Sequence, residues 1–141
     1  MIREIFRVFV ILALINYSCS GNMSHSNDQP ERPSNIRYLA LGDSYTIGES
    51  VTEDERFPAQ LASAFSVAGY SSDVEIIAKT GWSTRQLIEA IRENPPHGDF
   101  KLVTLLIGVN NQYRGLDTAE YRNELRELIR QAIAFAGDDT G

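Results

Sequence analysis

Three short stretches of this chain hold residue types that can act together in acyl transfer. They are Gly42-Asp43-Ser44-Tyr45-Thr46-Ile47-Gly48, Lys79-Thr80-Gly81-Trp82-Ser83 and Gly108-Val109-Asn110-Asn111. A Ser at a strand-to-helix turn presents its hydroxyl beside backbone N–H groups. A Gly lets the backbone approach a ligand closely. An Asn amide can donate to a developing oxyanion. A nucleophile and an oxyanion hole are the parts acyl transfer requires. Each residue also has an ordinary reading: Ser44 as a helix N-cap or turn residue, Gly81 as a turn glycine, Asn110 and Asn111 as plain loop residues. Asp43 reads as a brace for its turn. Trp82 either lines an acyl pocket or packs on the sheet, and Tyr45 and Tyr113 are equally open.

The elements around these stretches bring them together. Ile36 to Leu41 reads as a strand ending at Gly42. Phe57 to Gly69 reads as a helix with Phe57, Leu61, Phe65 and Ala68 on one face, Pro58 in the first turn and Gly69 at the stop. Asp73 to Ala78 is a second strand. Ser83-Thr84-Arg85-Gln86 is a capping box opening a helix with Leu87, Ile88 and Ile91 inward, stopped by Pro95-Pro96. Lys101 to Ile107 is a third strand, apolar enough to expect burial on both faces.

Asp117 then caps a last helix that should bury Tyr121, Leu125, Leu128, Ile129, Ala132, Ile133 and Ala136. Arg122, Glu124, Arg126, Glu127 and Arg130 should form its solvated face. Strand and helix alternate three times, which predicts an α/β fold with a parallel sheet and right-handed crossovers. The expected strand order is 2-1-3, with an open edge on strand three. Ligands of such sheets bind beyond the carboxyl ends of the strands, where all three stretches begin.

Leu39-Ala40-Leu41-Gly42-Asp43-Ser44-Tyr45-Thr46, Gly81 and Gly108-Val109-Asn110-Asn111, in that order and each after a strand, resemble the first three blocks of the SGNH/GDSL hydrolase family. The resemblance covers Ile36 to about Ala136. It implies a three-layer α/β/α, flavodoxin-like fold and a serine ester hydrolase acting through an acyl-serine intermediate. Ser44 is then the nucleophile, and Ser44, Gly81 and Asn110 supply the oxyanion hole. The implied substrate is a small-molecule ester, and no cofactor or metal is implied.

The family pattern also includes a C-terminal D-x-x-H block that supplies the base and its orienting acid. These 141 residues contain no such block, so base and acid are unassigned and the chain as given is expected to be nearly inactive, with the C-terminal strands missing. His97 precedes the third strand and should lie about 20 Å from the Ser44 rim, since a strand rises about 3.3 Å per residue. His25 sits on a tether. Two other classes of function stand beside the hydrolase. One is a non-catalytic, truncated lipoprotein with the same surface. The other is a phosphate- or nucleotide-binding flavodoxin-like module built on Gly42-x-Ser44-x-x-x-Gly48, although that spacing is not G-x-G-x-x-G and has no P-loop Lys.

Arg3 and Arg7 precede the apolar run Val8 to Ile15, which is far short of the roughly 20 residues of a membrane span and has the pattern of an export signal. Ser18 stands directly before Cys19, the only Cys, and this resembles the lipobox of bacterial lipoproteins, with Asn16 where Leu is usual. The expectation is a signal peptide over 1–18, a lipidated tether over 19–35 and the hydrolase-like domain over 36–141. The protein would be exported and held at a membrane only through its lipid, or secreted if Cys19 is unmodified. A lone Cys excludes a disulfide framework within the chain, and two His far apart argue against a His metal site. A net charge of −6 with only two Lys gives no footprint for nucleic acid.

Overall fold

The computed structural model describes residues 35–137. The expectations for Cys19, the signal, the tether and His25 lie outside the described residues. Three parallel strands, β1 (Asn35–Gly42), β2 (Ser71–Ala78) and β3 (Leu102–Leu106), form one sheet in the order β2-β1-β3. Gly42 is paired with Ala78 on one side and Leu106 on the other, so the three carboxyl ends are level. The register therefore starts the three following loops from a single rim.

The helices are α1 (Ser44–Ile47), α2 (Phe57–Val67), α3 (Thr84–Glu93), α4 (Val109–Tyr113) and α5 (Thr118–Phe135), with a 3₁₀ turn at Glu53–Glu55. The crossover through α2 leads from β1 to one neighbour and the crossover through α3 leads back past β1 to the other. Right-handed crossovers in opposite directions put α2 and α3 on opposite faces. Leu39 and Leu41 of β1 pack with Leu87 and Ile91 of α3, Leu128 of α5 and Phe100. Alternation sends Tyr38 and Ala40, also fully buried, to the other face. There the Tyr38 hydroxyl lies 2.8 Å from Thr104 Oγ1 of β3.

The capping signals act as the sequence predicts. The Ser83 N–H donates to Gln86 Oε1 at 3.0 Å, and the Asp117 carboxylate accepts from the Glu120 N–H at 2.8 Å. Four expectations need correction. β3 is not buried on both faces: it borders β1 alone among the described residues, its side chains are half-buried, and Leu106 is 46% exposed. The strand buried on both faces is β1, because it lies between the other two.

Ala68 is exposed, since α2 stops at Val67 and Ala68 is its C-cap. Ile129 is exposed because it lies about 100° around α5 from the buried Leu128. Glu124 is not on the solvated face. It lies one turn before Leu128 on the inner stripe, where its carboxylate accepts from Thr84 Oγ1 at 2.6 Å and pairs with Arg85 at 3.0 Å. No helix among the described residues is long and apolar enough to cross a membrane.

Candidate active site

Gly42 ends β1 where no side chain fits. A Cβ there would come within 2.1 Å of Thr46 Oγ1 and 2.5 Å of the Leu106 carbonyl oxygen. The missing side chain lets the one-turn helix α1 fold back against the strand that feeds it. Asp43 caps α1 and is only 1% exposed, and its Oδ1 accepts the Tyr45 N–H at 3.1 Å. Asp43 therefore braces the turn, and the cap is Asp43 rather than Ser44. Ser44 is the first residue of α1, half-buried at the rim. Gly48 closes α1 at its carboxyl end, so the glycine-serine-glycine spacing does not open a long helix toward a phosphate.

The loop after β2 turns at Gly81, whose φ of +81° lies in the left-handed region that favours glycine. Trp82 packs against the core cluster, and its carbonyl faces the rim. Thr80 bonds to Glu49 from the first loop, tying two of the three loops together.

The loop after β3 becomes α4, which carries Asn110 and Asn111 in its first turn. Asn110 Nδ2 donates to the Trp82 carbonyl at 3.0 Å and lies 3.4 Å from Asp43 Oδ2. One amide thus touches both other loops, the first of them at Asp43, the residue before Ser44 in the chain. The Asp43 contact is long for a hydrogen bond. Asn111 points the other way, into the protein. It is 4% exposed, accepts the Thr84 N–H at 3.0 Å and donates to Thr84 Oγ1 at 2.7 Å.

A cleft of about 250 Å³ at the rim is lined by Asp43, Tyr45, Leu106, Ile107 and Val109. Its side chains come from the first and third loops and the end of β3. Tyr113 is 90% exposed and does not line it.

His97 lies at the other end of the sheet. Its carbonyl accepts from Arg37 Nη1 at 3.0 Å, near the start of β1, while Ser44 follows the end of that strand. No group of three or more His, Cys, Asp or Glu suited to a metal occurs among the described residues. Sequence reasoning missed Thr84, Glu124 and Arg114 as supports of the rim. Their signals are weak: Thr84 is one position of a capping box, and Glu124 reads as one more charge on a charged helix.

Residues 40–139 match the GDSL-like Lipase/Acylhydrolase family. The chain belongs to that family. Among solved structures it is similar to AlinE4, an SGNH-hydrolase family esterase, with 27% identity and a TM-score of 0.61 over 71% of this chain and 56% of that one. It shares its fold with TesA at 21% identity and a TM-score of 0.59, covering 71% of this chain and 56% of that one. The psychrotrophic esterase EstA from Pseudoalteromonas sp. also shares it, at 17% identity and 0.55, covering 71% and 55%. The chain therefore spans about half the length of these proteins. A search of curated proteins gives no match.

Proposed function

We propose that this chain carries the nucleophile and oxyanion hole of a serine ester hydrolase. The observation that carries the reading is the Asn110 amide, which joins the Trp82 carbonyl and Asp43 beside Ser44. In the proposed reaction Ser44 Oγ attacks the ester carbonyl carbon and gives its proton to a base. The carbonyl electrons move onto oxygen, where the Ser44 N–H, the Gly81 N–H and Asn110 Nδ2 receive the charge. Collapse of the intermediate breaks the bond to the alcohol, which leaves with a proton and an acyl-serine behind it. Water repeats the sequence and releases the acid.

The base belongs to the family's D-x-x-H block, which is not among these 141 residues. A serine hydroxyl without an adjacent base is a weak nucleophile, and loss of the His alone from such a triad costs about 10⁶-fold in a protease example. These residues alone should therefore turn over a short-chain nitrophenyl ester only slowly. The same chain extended through a D-x-x-H block should do so at ordinary enzymatic rates, on the order of 1 s⁻¹ or more. Ser44→Ala should abolish that turnover. Absence of Ser44-dependent hydrolysis in the extended form would defeat the reading. Fast hydrolysis by residues 1–141 alone would show that a base has been overlooked.

For location, the reading is export with lipid on Cys19 and a tether over 19–35. It rests on the short apolar run ending at Ser18-Cys19. Cells given labelled fatty acid should label the wild type and not Cys19→Ala. A wild type that takes up no label and is released as free protein contradicts the anchor.

A further inference from the structure

We infer that Arg114 is a positioning residue for the oxyanion site, holding the Gly81 turn in place from across the rim. This inference rests on the acyl-serine reading for its purpose, though not for its geometry. Gly81 has no side chain to anchor it, and a glycine peptide left free samples both signs of φ. Arg114 Nη2 donates to the Gly81 carbonyl at 2.5 Å, and Nη1 donates to Gln86 Oε1 at 3.3 Å. Gln86 Oε1 also receives the Ser83 N–H, so one guanidinium grips the turn and the start of α3 together. The Trp82 N–H, on the same peptide unit as the Gly81 carbonyl, donates to the Lys79 carbonyl at 3.2 Å. That unit is therefore pinned at both ends, and the guanidinium supplies one of the two pins.

The position of Arg114 is itself fixed by α4. Its N–H donates to the Asn110 carbonyl at 3.1 Å, placing it one helical turn after Asn110. A single short helix thus sends the Asn110 amide to the Trp82 carbonyl and the Arg114 guanidinium to the Gly81 carbonyl. Two of the proposed oxyanion donors, Asn110 Nδ2 and the Gly81 N–H, are set against each other by this double grip. Lysine offers one charged point and cannot span the Gly81 carbonyl and Gln86 as a planar fork does.

The test uses the 141-residue chain, ¹⁵N-labelled, as wild type, Arg114→Ala and Arg114→Lys. The Gly81 and Trp82 amides should be rigid in the wild type, with order parameters of about 0.85, and fall below about 0.6 in Arg114→Ala. Arg114→Lys should be intermediate and remains informative if the alanine variant folds poorly. A Gly81 amide already mobile in the wild type, or equally rigid in both variants, overturns the inference.

A second arm follows labelling of Ser44 by a fluorophosphonate in the same chain extended through a D-x-x-H block, since a serine without an adjacent base is a weak nucleophile. The Ser44 oxygen bonds to phosphorus, fluoride leaves, and the serine proton passes to the base of that block. Labelling should slow by about 10- to 100-fold in Arg114→Ala, the scale of a misplaced reacting geometry, and recover in part in Arg114→Lys. An unchanged labelling rate in Arg114→Ala also overturns it. If the extended wild type is not labelled at Ser44 at all, the acyl-serine reading falls, while the Gly81 order parameter of the 141-residue chain still decides the role of Arg114.

Discussion

Asn111 and Thr84 are joined by two hydrogen bonds, 3.0 Å to the Thr84 N–H and 2.7 Å to its hydroxyl, across the buried seam between the third loop and α3. The pair sets where α4 begins, and with it the direction of Asn110. Asn111→Ala leaves the buried Thr84 N–H without its partner, while the Thr84 hydroxyl loses one partner and keeps Glu124. Each unsatisfied group costs about 1–3 kcal/mol, and small-residue relaxation recovers part of that. The expected loss is about 1–3 kcal/mol, read as a lower urea midpoint at unchanged slope. A shift equivalent to less than about 0.5 kcal/mol would mean that water replaces the amide.

Gly42→Ala tests the close approach of β1 and α1. The new methyl would meet a side-chain oxygen at 2.1 Å and a backbone carbonyl at 2.5 Å. Overpacking of this kind costs about 1–3 kcal/mol and can exceed that when backbone must move. Adding Thr46→Ala removes the first clash and not the second, because the Leu106 carbonyl belongs to the β3 backbone. The double variant should regain only part of the lost thermal stability. Full recovery would show that the strand end shifts freely.

The fold was legible where the pattern is periodic or capped. Strand-helix alternation gives the parallel sheet, the family resemblance implies its β2-β1-β3 order, and Ser83 and Asp117 mark their helix starts. α1 and α4 are single turns, too short to show a period, so the sequence presents them as loops. Burial of β3 was misread because apolar content reports what a strand can bury, while its place in the sheet decides what it does bury. The meeting of the three stretches at one rim was legible, since each follows a strand. Their supports were not. Glu124 and Arg114 look like solvent-facing charges until the partners across the fold, Thr84 and the Gly81 carbonyl, are in view.

Tyr38 makes stability sensitive to alkali. Burial raises its phenol pKa above the ordinary value, and the hydrogen bond with Thr104 offsets this only in part. A raised folded-state pKa means that its contribution is fully present below the unfolded-state value of about 10. It is lost as pH rises through the folded-state value. Wild type should therefore lose stability to urea above about pH 10 faster than Tyr38→Phe. Below about pH 9, where the phenol is neutral in both states, the difference between the two should be constant. Parallel curves across the whole range would remove Tyr38 as the cause.

Glu124 separates a hydrogen bond from an ion pair. Its carboxylate accepts from the buried Thr84 hydroxyl and pairs with Arg85, whose side chain is 56% exposed. An ion pair with so exposed a partner is worth about 0–1 kcal/mol, whereas a buried hydroxyl hydrogen left without an acceptor costs about 1–3 kcal/mol. Glu124→Gln keeps an acceptor for Thr84 and gives up only the charge. It should cost less than about 1 kcal/mol, and that cost should shrink in 1 M salt, where screening acts within about 3 Å. Glu124→Ala removes both interactions and should cost about 2 kcal/mol, of which only the ion-pair share shrinks in high salt. Urea melts of both variants at low and high salt make the comparison. If the glutamine variant is as damaged as the alanine variant at low salt and both recover together in high salt, the charge and not the Thr84 bond holds α5 against α3.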